Sequence, residues 1–417
     1  MEFDAVSRLT PPEEREDASP TLFDNRKDRR MAETRTGRLV SLDAYRGLIM
    51  LTLAGNGFGL LEYARQQLQQ HPESILWKTV EYHTSHPEWQ SQWGWIGVSY
   101  WDLIQPSFMF MVGVAMAYSY AKRASRGDSF GQMLRHALFR SIVLILLGLF
   151  LESLGKTRTH WSFVCVLSQI GLGYLFVFLL MGRPTWAQLF TGAIILVGYW
   201  AWFVATPVPN AGPWENFAAH FQKNQNAAAY FDRWFLNLFP REQPFEANAG
   251  GYTTLNFVPS IVTMLLGLMS GELLQSTRRE SSKVLILVCG GAALVSLGVT
   301  LHETGLCPNV KRIWTPSWTL FSGGYTMWIL AGFYFIIDVV GWRTWSMPLV
   351  ILGVNSILLY LMGMMLRPWT LQQLRIHFGQ DLFVNSPWRP ILEASAVMMV
   401  FWLLCWWLYR QRLFIRI

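Results

Sequence analysis

HPEWQSQWGWIGVSYWDLIQPSFMFMVG, residues 86–113, is the stretch on which the reading of the chain turns. A tryptophan-rich loop headed by His86 runs straight into an apolar run. Ser99 and Asp102 have the spacing of a capping box, so a helix is expected to begin there, with Pro106 in its first turn, where a missing N–H costs little. The apolar run continues to about residue 121, enough for the roughly 20 helical residues that cross a bilayer core. The stretch therefore reads as a polar, aromatic loop at a membrane surface that delivers its last residues to the mouth of a transmembrane helix.

Composition extends that reading to the whole chain. Of 417 residues, 52% are hydrophobic and only 15% charged, where soluble domains carry about 25% charged residues; mean hydropathy is +0.24. Apolar runs recur from about residue 39 onward, near 41–64, 101–121, 134–153, 162–182, 186–205, 254–275, 283–302, 317–340, 346–366 and 390–409. The expectation is an all-α, polytopic membrane bundle of about ten helices.

The net charge of +7 does not point to nucleic acid, because the cations lie between the apolar runs rather than on one face. With a cytoplasmic N-terminus, Lys122, Arg123 and Arg126, then Arg278, Arg279 and Lys283, then Arg410, Arg412 and Arg416 all fall inside. The long loops near 65–100, 206–253 and 367–389 fall outside. Lys311 and Arg312 break this pattern: they land outside, so either the span count fails there or these two cations have a task. Residues 1–38 have no apolar signal-peptide core and read as a disordered cytoplasmic tail ahead of a membrane domain at 39–417. Segment 206–253 is too long for a plain connector and reads as an extracytoplasmic cap with a short interfacial helix at Tyr230–Leu238. The four cysteines have no metal or disulfide spacing, and no metal site is expected.

Ionisable and polar groups in apolar surroundings are the functional candidates. Asp43 and Arg46 share a face of the first span, either as a self-neutralising pair or with Arg46 turned to a phosphate. Asn56, amid Gly55, Gly57 and Gly59, marks a break or a close approach. His71, His83 and His86 share one loop, where a neutral imidazole beside Asp102 would serve as a base. The loop tryptophans offer either sugar-stacking faces or a membrane belt.

SLDAYRG at 41–47, WIGVSYWDLIQPSFMFMVG at 95–113, SIVTMLLGLMSGELL at 260–274, PNVKRIWTPSWTLFSGG at 308–324, GVNSILLYL at 353–361 and LYRQRLFIRI at 408–417 resemble, in this order, the heparan-α-glucosaminide N-acetyltransferase family. The resemblance implies a transmembrane acetyl transfer: acetyl-CoA from the cytoplasm as co-substrate, and the amine or hydroxyl of an extracytoplasmic amino sugar or glycan as acceptor. It implies a catalytic histidine, matched by His86 in HPEW with His83 in reserve, acting as a base or through an acetylated intermediate. Asp102 matches the helix-mouth aspartate and Asn56 the polar residue near the end of the first span, while Asp43 and Arg46 match the opening motif. Phosphate contacts are expected from Arg46, with Lys122 and Arg123. Gln169 departs from the family, which generally has arginine there. A homodimer, and for this chain a bacterial inner membrane with both termini cytoplasmic, are also expected. The competing readings are a transporter or flippase for a polar solute, and a silent scaffold.

Overall fold

A computed structural model describes residues 39–86, 89, 98–381 and 383–414. The tail at 1–38, Trp93, Trp95 and Arg416 lie outside the described residues. Among those described, all regular structure is helical: α1 (Val40–Ala54), α2 (Leu60–Gln70), α3 (Ile75–Thr84), α4 (Tyr100–Ser125), α5 (Phe130–Glu152), α6 (Val166–Leu180), α7 (Thr185–Ala205), α8 (Ala227–Phe235), α9 (Phe257–Gln275), α10 (Glu280–Glu303), α11 (Pro316–Tyr334), α12 (Met347–Gly353), α13 (Ser356–Met365), α14 (Arg367–Phe378) and α15 (Arg389–Arg410). Seven of these are long and apolar enough to cross a membrane, and α12 with α13 form an eighth span bent by 66°. The expected count of ten is reached only if α1 and α6, each 15 residues long, are added. The protein is an all-α polytopic membrane protein.

Three local departures from the sequence reading have physical causes. The first span does not run through to residue 64. It breaks after Ala54, where Asn56, Gly57, Phe58 and Gly59 all take positive φ, from 51° to 66°. Glycine accepts that region freely, and Phe58 bears a strained backbone there. A Cβ on Gly59 would lie 2.3 Å from the Pro390 carbonyl, so the break seats directly on the start of α15. Pro106 is not in the first turn of α4: Ser99 caps the helix, so Tyr100 is its first residue and Pro106 its seventh. The Ser99 hydroxyl accepts from the Asp102 backbone N–H at 3.1 Å, but the Asp102 carboxylate does not close the capping box, because it is engaged elsewhere. Tyr230–Leu238, read as interfacial, splits into the end of α8 and a 3-10 turn, with Ala227, Ala228 and Asp232 buried in the cap.

α4 lies parallel to α9 at a distance set by two glycines. A Cβ on Gly113 would fall 1.9 Å from the Met264 carbonyl, and one on Gly267 would fall 1.9 Å from the Phe110 carbonyl. Backbone meets backbone at this crossing, as small residues permit between membrane helices. The cap rests on the end of the bundle where α4, α9 and α11 begin. Tyr199 and Phe203 of α7, Phe221, Ala227 and Ala228 of the cap, and Val310 and Ile313 form its core. Trp89 belongs to this packing, donating its indole N–H to the Phe221 carbonyl at 2.9 Å, so it is not a free stacking face. Asp232 ties the cap to the bundle by accepting from the Thr254 N–H, 2.9 Å away, at the head of α9.

Two outcomes follow from this packing. Gly113→Ala lowers the unfolding midpoint in detergent, by about 1–3 kcal/mol for an overpacked contact. Gly198→Ala on α7, where a Cβ meets nothing within 4 Å, does not. Burial pushes the Asp232 carboxyl up to about 6, against the pull of Thr254 and Arg241. Folding thus raises this group above its ordinary value of 3.8. Its stabilising contribution is full below about pH 4 and is lost as pH rises through about 6, because there the unfolded chain has already released the proton. Thermal unfolding between these limits shows that slope in the native chain, and Asp232→Asn flattens it.

Candidate functional site

Ser99 does two things at the mouth of α4. While its oxygen accepts from Asp102, its hydroxyl donates to the Ser85 carbonyl at 3.0 Å, drawing the residue before His86 onto the helix end. His86 then places Nδ1 2.7 Å from Asp102 Oδ1. A carboxylate oxygen only accepts, so the proton of the neutral ring sits on Nδ1 and Nε2 holds the lone pair.

Lys311 completes the group. Its Nζ lies 2.8 Å from the same Asp102 oxygen and 3.2 Å from His86 Nδ1. With Nδ1 protonated, the second approach is a contact between two donors that share one acceptor. Lys311 and Asp102 are almost fully buried, at 7% and 6% side-chain exposure, whereas His86 keeps 41%. The ion pair is sealed and the imidazole is open. Lys311 is one of the two cations that violated the charge pattern of the loops, and the violation has this cause: a buried carboxylate at a helix mouth requires a counter-charge.

The chain around Lys311 is clamped from three sides. Asn256 at the head of α9 donates to the Arg312 carbonyl at 2.8 Å. Tyr199 donates to the Ile313 carbonyl at 3.2 Å. Trp314, at φ 48°, donates its indole N–H to Thr263 at 3.3 Å. Arg312 itself turns to the cap and donates to the Gly250 carbonyl at 3.1 Å.

The other sequence candidates divide. His86 opens on a cavity of about 740 Å³ whose wall also includes Asn56, Trp101, Glu62, Arg367 and Glu393. Asn56 thus shares a cavity with His86. Trp101, in the first turn of α4 rather than in the loop, also lines it, with its ring centroid 6.5 Å from that of His86. His83, the reserve candidate, does not line that cavity; its Nδ1 accepts from the Tyr100 N–H at 3.3 Å in the first turn of α4. The donor-binding group is not gathered. Asp43 and Arg46 face each other at 3.8 Å, next to Tyr45, whose hydroxyl donates to Ser107 at 2.8 Å. Lys122 and Arg123 lie at the far end of α4, about 22 Å of helix beyond Ser107, and Arg123 pairs with Asp128 at 3.1 Å. Gln169 donates to the Phe163 and Thr254 carbonyls, stitching α6 to the head of α9. Among the described residues no cluster of His, Cys, Asp or Glu is placed to hold a metal ion.

Removing one member of the buried pair leaves the other uncompensated, at a cost of about 3–5 kcal/mol. Lys311→Met therefore lowers the unfolding midpoint sharply, and the double variant Lys311→Met/Asp102→Leu recovers most of the loss. A double variant no more stable than the single one contradicts the pairing.

No family model matches the chain. It is 23% identical over 435 residues to human heparan-alpha-glucosaminide N-acetyltransferase, across 91% of this chain and 60% of the relative. To the mouse enzyme of that name it is 23% identical over 450 residues, across 92% of this chain and 63% of the relative. The chain thus spans less than two thirds of the length of either relative. Along nine-tenths of its own length it is a distant relative of heparan-alpha-glucosaminide N-acetyltransferase.

Proposed function

We propose that this protein is a membrane acetyltransferase that moves an acetyl group from acetyl-CoA to an amine or hydroxyl of a sugar or glycan at the His86 end of the bundle. The observation that carries the reading is the 2.7 Å contact of His86 Nδ1 with buried Asp102, which leaves Nε2 as the open nitrogen on a cavity. The distant relatives support the reaction class, being named as N-acetyltransferases.

In this reading Nε2 of His86 takes the proton of the acceptor N–H or O–H as the acceptor atom bonds to the acetyl carbonyl carbon. The carbon–sulfur bond of the thioester then breaks, and the proton passes from the imidazolium to the departing thiolate. Asp102 stabilises the imidazolium while it exists, and Lys311 keeps Asp102 ionised and fixed in place. Asn56 would donate its amide N–H to the oxyanion of the tetrahedral intermediate. Lys122, Arg123 and Arg126 lie at the opposite end of α4 from His86, so the positive-inside rule supports a cytoplasmic far end and an extracytoplasmic site.

The test is thiol release from acetyl-CoA by the purified protein in detergent, with and without amino sugars. Acceptor-dependent release is expected in the native chain and in His83→Ala. A loss of about 10²–10⁴-fold is expected in His86→Ala, the scale of a general base. Asp102→Asn, which no longer holds an anion against the imidazolium, falls in the same direction. If the native protein neither binds acetyl-CoA nor releases thiol, the reading fails. Solute flux in proteoliposomes untouched by His86→Ala would then put a transporter in its place.

A further inference from the structure

Apart from His86, the cavity wall bears four charged side chains: Glu62, Arg65, Arg367 and Glu393. Two are neutralised within the protein. Arg65 pairs with Glu81 at 2.9 Å, and Glu393 is held by Arg375 at 2.5 Å and Arg389 at 2.9 Å. Glu62 is exposed on the α2 rim, where water solvates it. Arg367 differs from all of these: it is half-buried, and no ion pair or hydrogen bond is described for its guanidinium. Burial alone lowers its proton affinity below the ordinary arginine range. A fork of five donors taken partly out of water without an acceptor is costly, and an anion removes the cost.

The surroundings of Arg367 narrow the source of that anion. Arg367 opens α14, directly after the bent span of α12 and α13. α14 exposes Trp369, Ile376 and Phe378, and Trp388 is exposed just before α15. Aromatic and apolar residues at the end of a membrane bundle mark the headgroup layer. The cavity follows the same gradient. Its α2 rim carries Arg65, Gln66 and Gln69, while Leu371, Ala394 and Val397 line it from α14 and from inside the α15 span. A polar rim over an apolar wall at that depth suits an amphiphile better than a free sugar.

We propose that the acceptor is membrane-anchored: the sugar-bearing headgroup of an anionic amphiphile, whose phosphate or carboxylate is held by Arg367 while its nucleophile reaches His86. This rests on the acetyl-transfer reading for the role of the bound molecule, but not for its binding.

Binding is therefore measured without acetyl-CoA, on the full chain in nanodiscs of neutral phosphatidylcholine. Three probes are compared: a short-chain glucosaminyl phospholipid, a neutral alkyl glucosaminide and glucosamine 6-phosphate. The phospholipid is expected to bind about ten-fold or more tightly than either of the others, the scale of one charge-assisted contact. Arg367→Gln brings it down to the level of the neutral glycolipid, and Arg367→Lys restores part of the difference. Equal binding of the charged and neutral amphiphiles, or indifference to Arg367→Gln at an unchanged unfolding midpoint, overturns the proposal. Binding of glucosamine 6-phosphate as tight as that of the phospholipid overturns the membrane-anchored source. Thiol release from acetyl-CoA is then followed with each probe. Arg367-dependent binding without any release would defeat the acetyltransferase reading and leave the anion site standing. Release with a neutral amino sugar that is indifferent to residue 367 would do the reverse.

Discussion

A carboxylate buried at the mouth of an apolar helix is the constraint around which this end of the protein is built. The N-terminus of α4 favours a negative charge at Asp102, but the helix dipole alone does not offset the desolvation of an ion with 6% of its side chain exposed. Lys311 supplies the missing charge from 209 residues away. For its ammonium to reach Asp102, the 307–315 segment must fold inward, which fixes the strained backbone at Trp314 and the bonds from Asn256 and Tyr199. The cap is then held through Arg312 and Asp232. One electrostatic requirement thus organises four separate parts of the chain around a single imidazole.

The second element is the interrupted first span. A continuous helix from α1 into α2 would carry the chain past the site with no cavity beside it. The run of positive φ from Asn56 to Gly59 turns the chain instead, and the absence of a side chain on Gly59 lets the turn rest on the Pro390 carbonyl. The cavity forms in the angle, with Asn56 on one wall and α15 on the other. Rigidity comes from the crossing of α4 and α9, where Gly113 and Gly267 leave the helices no freedom to slide.

Much of this was legible in the residues. Hydropathy gave the helices, the Ser99–Asp102 spacing gave the helix mouth, and the glycines around Asn56 announced a break. What was not legible was long-range. Lys311 showed only as a charge on the wrong side of a topology rule, since nothing local to PNVKRIW points at residue 102. Composition and spacing do not separate His83 from His86; the resemblance of HPEW alone puts His86 first. They differ only because one ring meets the Tyr100 amide and the other the Asp102 carboxylate. Reading Trp89 as a possible stacking face failed for the same reason, since its partner Phe221 lies in the cap. The bend of α12 against α13 and the short α1 and α6 likewise depend on packing that hydropathy does not encode.

The same long-range geometry separates the two candidate donor contacts. Asp102 and Lys122 stand about 30 Å apart along α4, the whole hydrocarbon thickness of a bilayer. A donor anchored by its phosphates at Lys122 or Arg123 would have to carry its thioester across that full distance to reach His86. Arg46 stands eight residues, or about 12 Å, before the end of α1 at Ala54, where the chain turns to Asn56 and the cavity. Under the proposed transfer, a donor held near Arg46 has a shorter way to the cavity than one held at Lys122. Asp43, at 3.8 Å, would neutralise that arginine until a phosphate displaced it. In that transfer, the interrupted first helix would set the α1 cation nearer the α4 base than Lys122 or Arg123 stands, because α1 ends where the chain turns to Asn56 and the cavity.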